Sequence, residues 1–190
     1  MFTSRWAALA VVPVAVGLAV LASLTAQGAR READEPKGAR ADRKGAGHAP
    51  RPVTLNAALA VIEAAQKRAE KVGVPMNIAV VDDGANLVAF ARMDGAWLGS
   101  IEIAQNKAYT ARAFNISTKE LAAKSQPGKP LFGIATSHGG RIVIFAGGIP
   151  LKAHGRVVGA VGVSGGTPDQ DHQVAEAGAA AFVPGGKGGE

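Results

Sequence analysis

The 190-residue chain contains no cysteine. Disulfides, thiolate metal ligands, a lipid-modified cysteine anchor and cysteine nucleophiles are excluded together. A domain without disulfides must be held by core burial and, often, by self-association. Aromatic residues are also scarce, at 5% of the chain, whereas glycines number 25. A core must therefore be packed from small aliphatic side chains between tight turns. The foldable part lacks charge excess as well. The formal net charge is +6, but residues 30–52 carry seven basic and four acidic side chains, whereas residues 53–190 carry thirteen and eleven. A nucleic-acid-binding domain gathers Lys and Arg on one face and adds aromatics for base stacking. Neither feature is present, so no nucleic-acid partner is expected. There is no HExxH, no paired-carboxylate cluster and no two histidines at metal-ligand spacing. A closed protein-built metal site is therefore not expected.

What is present divides the chain into four parts. Arg5 precedes an uncharged apolar run, residues 7–24, followed by Ala26-Gln27-Gly28. Residues 1–28 read as a secretory signal peptide cleaved after Gly28, giving a secreted or periplasmic protein. The alternative is an uncleaved membrane anchor formed by residues 7–24, since such a run approaches the ~20 residues that span a bilayer. Pro13, Gly17 and the many alanines favour cleavage. Residues 29–52 mix Arg, Lys, Asp, Glu, Gly and Pro without apolar periodicity and read as a disordered basic linker, with no metal role for His48. A folded domain spans residues 53–184, and residues 185–190 form a flexible tail.

Within the domain, Thr54 is placed to cap a helix in which Leu55, Ala58, Leu59, Ile62, Ala65, Ala69 and Val72 recur at helical spacing until Gly73. Residues 77–81 and 86–91 read as strands joined by the turn Asp82-Asp83-Gly84-Ala85. A second helix is expected over residues 98–114. Ser117 and Glu120 are spaced as a capping box for a short third one. Three strands follow, over residues 141–146, 149–153 and 157–164, with a His154-Gly155 turn between the last two. Thr167, Pro168 and Gln170 mark the start of a final helix. The expected class is α+β, with a five-stranded antiparallel sheet flanked by helices.

Several residues could carry chemistry. Gly162-Val163-Ser164-Gly165-Gly166 fits the G-x-S-x-G pattern of a nucleophile elbow, with Asp169 and His172 following. A serine hydrolase at Ser164 is a remote alternative, because acid and base would both sit on the helix that immediately follows the serine. Ser164, Gly165, Gly166 and Thr167 also lead into a helix N-terminus, where free N–H groups favour an anion; the plain reading is a tight glycine turn. Arg92, Asp94 and Lys107 are further ligand-binding candidates, against a plain reading as a loop ion pair and a solvated helix lysine.

The blocks 81–96 and 159–171 resemble the GlcG/HbpS family. So do Asn106-Lys107-Ala108-Tyr109-Thr110-Ala111 with Phe114, Gly147-Gly148-Ile149-Pro150-Leu151, and Asp171-His172-Gln173-Val174-Ala175-Glu176-Ala177-Gly178. The resemblance covers about residues 54–183. It implies a profilin-like fold, haem as ligand and cofactor, homo-oligomers, and a possible membrane sensor partner. It implies haem binding, with haem degradation or redox sensing as further possibilities. A small-anion-binding or protein-interaction module without catalysis is the alternative. It also suggests Thr118 as a haem contact; His138 and His172 join it as candidate iron ligands. His172 stands where the family pattern more often has an acidic residue. A ligand position is placed between the 164–167 turn and the 92–96 loop, with Met93, Trp97 and Phe114 offering apolar area, against a plain reading of those three as core or subunit-interface packing.

Overall fold

A computed structural model of the chain describes residues 53–185. The expected signal peptide, the basic linker and most of the tail lie outside the described residues. Helix α1 (Leu55–Val72) starts at Thr54, whose side chain accepts the Ala57 N–H, and stops at Gly73, whose φ of 74° only glycine adopts readily. Strands β1 (Asn77–Val81) and β2 (Leu87–Arg92) form the expected hairpin. In its turn, Asp82 Oδ1 accepts the N–H groups of Gly84 and Asn86. Helix α2 (Ser100–Phe114) begins two residues later than expected. The carbonyls of Ala96 and Trp97 are held by Arg92 and by Asn77 Nδ2, which keeps that stretch a loop. Helix α3 (Thr118–Lys124) has half of its capping box: Ser117 accepts the Glu120 N–H, but the Glu120 carboxylate pairs with Lys124. Strands β3 (Gly148–Ala153) and β4 (Arg156–Ser164) are joined at His154 and Gly155, both with positive φ, the twist a two-residue hairpin requires. Helix α4 (Pro168–Ala180) carries the complete Thr167/Gln170 capping box.

The sheet has four antiparallel strands in the order β2-β1-β4-β3. The fifth expected strand, residues 141–146, does not form. Arg141 leaves two short 3-10 turns (Ile134–Thr136 and His138–Gly140), and the Val143 N–H donates to Thr110 Oγ1 on α2 at 3.0 Å instead of to a strand. Alternation divides the sheet's two faces. Ile78, Val80, Val161 and Val163 pack under α1 and α4, while Ala79, Val81 and Ala160 pack under α2. The domain is therefore three layers, helix–sheet–helix. The buried stripe of α1 is Ala57, Ala58, Val61, Ile62, Ala65 and Ala69, which leaves Leu55 and Leu59 exposed. Among the described residues, no helix is long and apolar enough to cross a membrane.

Candidate functional site

Gly148 and Gly162 lie opposite each other in the β3–β4 register. A Cβ on Gly162 would collide with the Ala104 carbonyl and the Ala108 amide, and one on Gly148 with the Lys107 carbonyl. The bare backbone at these positions lets α2 lie directly on the sheet, with Ala104, Ala108 and Ala111 against it. Such close approach carries Lys107 past the end of β4 to the helix on the other face.

Lys107 is fully buried, and so is Asp171 in the first turns of α4, with side chains 0% and 3% exposed. Lys107 Nζ donates to Asp171 Oδ2 at 2.6 Å and to the Val163 carbonyl at 3.0 Å. Asp171 Oδ1 accepts the N–H groups of Gly165 (3.1 Å) and Gly166 (2.8 Å). Gly147 closes the arrangement, since a Cβ there would stand 2.7 Å from Nζ and 2.9 Å from Asp171 Cβ. The half-exposed Phe145 ring covers the ammonium at 4.6 Å. Burial pushes the Lys107 ammonium below, and the Asp171 carboxyl above, its ordinary range, while each partner's charge opposes that shift.

Lys107 is thus not the solvated helix lysine of the plain sequence reading. The expected anion position after β4 is filled from within: the Gly165 and Gly166 amides serve Asp171, and the Thr167 amide serves Gln170 Oε1 at 2.9 Å. Asp171 was not among the expected site residues. Its signal was an aspartate in the first turns of a helix, five residues after a Gly-Gly pair. Ser164 is buried at the end of β4. His172 points Nε2 at Glu176 (3.3 Å) and buries Nδ1 without a partner, so it is no base for Ser164.

The 92–96 loop does lie beside the 164–167 turn, because Asn77 on β1 is flanked by Arg92 and Ser164. Met76 bonds Met93 through both backbone and sulfur, and a Cβ on Gly166 would meet the Met76 methyl. Arg92 spends its guanidinium on the Ala96 carbonyl, at 2.9 and 3.1 Å, and Asp94 is exposed. Trp97 is 71% exposed in the same region. Phe114, expected to join Met93 and Trp97, does not: it ends α2 while Trp97 precedes it, and a helix of 15 residues separates them by about 20 Å. Gly165 cannot take a side chain without meeting the Pro75 carbonyl at 2.6 Å.

The three candidate iron ligands have different surroundings. Thr118 is fully buried, and its hydroxyl accepts the Gly148 N–H at 2.9 Å. The His172 side chain is 13% exposed. Burial holds its imidazole below the usual histidine range, with Lys119 acting in the same direction and Glu176 and Asp169 against it. His138 is exposed. Its ring stands edge-on to Tyr109 (6.3 Å) and Phe114 (6.1 Å), both from the last turns of α2. The Arg141 guanidinium lies 3.8 Å from the Tyr109 ring centre. An accessible imidazole, two aromatic rings and a cation match what a haem needs: an iron ligand, apolar contact and a propionate partner. Among the described residues, no three His, Asp or Glu side chains cluster as a metal site.

Residues 53–180 match the family model described as haem degrading protein HbpS-like. The chain is 44% identical over 124 residues to an uncharacterised 15.0 kDa protein from the dhaT–dhaS intergenic region of Citrobacter freundii, covering 65% of this chain and 87% of that one. Among solved structures it is similar to a PduOC:haem complex, with a TM-score of 0.65, 35% identity and coverage of 68% of this chain and 94% of that one. It is also similar to a double mutant of Streptomyces reticuli HbpS, with a TM-score of 0.66, 34% identity and coverage of 80% and 99%.

Proposed function

The chain belongs to the HbpS-like family, and from that membership we propose that it binds haem on the surface formed by His138, Tyr109, Phe114 and Arg141. The observation that carries the proposal is the exposed His138 imidazole edge-on to two aromatic rings, one of which, Tyr109, carries the stacked Arg141 guanidinium. His138 would supply the iron ligand, Tyr109 and Phe114 the apolar contact, and Arg141 the charge for a propionate. The solved relative carrying haem supports the same ligand. When bound, haem supplies a redox-active iron open to oxygen and peroxide chemistry.

Titrating the full chain with haemin tests the reading. A shifted Soret band is expected, and His138→Ala should weaken binding at least about tenfold, the usual cost of losing a metal ligand or its support. Equal affinity in wild type and variant would overturn the assignment. Degradation of the bound haem is a second reading, favoured by the description of the family. Loss of the Soret band with iron release on adding peroxide supports it, and a persistent band refutes it.

Export belongs to the same proposal and is supported by Arg5 and the apolar run that follows it. Mass spectrometry of the native protein should find an N-terminus at Ala29, whereas an intact Met1 in the membrane fraction overturns export. Self-association is supported by the outer edges of β2 and β3, which have no strand partner in this sheet. Light scattering at a monomer mass over a wide concentration range would remove it. A membrane sensor as recipient of the haem signal rests on the family resemblance.

A further inference from the structure

We infer that Ser137 fixes the tautomer of His138 and so presents Nε2 as the atom that meets a metal, which makes Ser137 a positioning residue. The inference rests on the haem reading for the identity of the metal, but the tautomer follows from hydrogen bonding alone.

A serine hydroxyl carries one proton. Ser137 Oγ lies 2.7 Å from the Ile134 carbonyl, which can only accept, so the proton is committed there. The same oxygen lies 2.9 Å from His138 Nδ1. With its proton used, Oγ can only accept from the ring, and Nδ1 must be the protonated nitrogen. In a neutral imidazole the other nitrogen, Nε2, then holds the lone pair that ligates metal. The reverse tautomer would set two lone pairs against each other at hydrogen-bonding distance.

The loop backbone supports this display. Ile134 O also accepts the Ser137 N–H at 3.0 Å, which fixes the serine from two directions. His138 has φ 54°, and Gly139 and Gly140 follow at 65° and 83°. A left-handed non-glycine residue is uncommon and is tolerated where surrounding contacts determine it. Here the Ser137 bond and the rings of Tyr109 and Phe114 do so. His172 has the opposite arrangement, with Nε2 turned to Glu176 and Nδ1 buried. A histidine ligand whose second nitrogen donates to an oxygen acceptor is the usual second-sphere support of a metal site.

The test uses the full chain, 15N-labelled, at a pH where the imidazole is neutral. Long-range proton–nitrogen correlation spectra should show His138 with a protonated Nδ1 and a bare Nε2 before any haemin is added. Ser137→Ala should mix the two tautomers and weaken haemin binding about tenfold, and Ser137→Thr, which keeps the hydroxyl, should restore both. An Nε2–H tautomer in the wild type overturns the inference. So does a Ser137→Ala protein that binds haemin like wild type while His138→Ala does not. If the wild type has the Nδ1–H tautomer but His138→Ala binds haemin normally, the tautomer assignment stands and the haem position of the preceding subsection falls.

Discussion

Lys107 Nζ and Asp171 Oδ2 meet at 2.6 Å in a fully buried ion pair that ties α2 to α4 across the end of β4. The two helices lie on opposite faces of the sheet, so the pair passes the strand end where Gly147 leaves room. Its stake is asymmetric. Two buried charges satisfy each other, but either one alone is costly.

Lys107→Met should therefore destabilise the domain by about 3–5 kcal/mol, by stranding the Asp171 carboxylate. Adding Asp171→Asn should recover part of the loss, because an amide oxygen still accepts from Gly165 and Gly166 while the orphan charge is gone. Urea unfolding of the single and double variants checks this. A double variant less stable than Lys107→Met would refute the account.

Gly162→Ala should cost about 1–3 kcal/mol, since its Cβ meets the α2 backbone, which has little freedom to retreat. Gly148→Ala should behave alike. Gly99→Ala, where the added carbon meets nothing within 4 Å, should stay within about 0.5 kcal/mol of wild type. Thermal unfolding separates the two groups.

The His172 imidazole has its folded-state pKa lowered from the ordinary 6.5, chiefly by burial. Folding therefore favours the neutral ring, and the unfolded chain takes up its proton first as pH falls. This contribution is complete above about 6.5 and is lost as pH falls from there toward the folded-state value. His172→Gln should flatten that part of the stability–pH curve. Denaturation series between pH 7.5 and 5 check it, and parallel curves for the two proteins would exclude His172 as the source.

Thr167→Ala removes the acceptor for the Gln170 N–H and half of the α4 capping box. A loss of about 1 kcal/mol is expected. Because α4 holds Asp171, hydrogen exchange at the Gly165 and Gly166 amides should also quicken. Unchanged exchange there would mean the cap and the ion pair are independent.

The local grammar of this chain was legible without a structure. Thr54, Gly73, Ser117, Thr167 and Gln170 act as helix ends, and the two hairpin turns fall where their residues place them, because each signal involves neighbours a few positions apart. The tertiary structure decided the rest, for reasons of distance along the chain. Periodicity shows that α1 has an apolar stripe, but only packing against the sheet and α4 turns Leu55 and Leu59 outward. Residues 141–146 have strand composition, yet the Val143 N–H goes to Thr110 on α2, 33 positions away. Lys107 reads as a surface residue until Asp171, 64 positions later, is brought against it. His138 could be named as a candidate from its loop. Its two flanking rings lie on a helix more than twenty residues earlier, and the state of its nitrogens depends on how Ser137 folds back onto Ile134.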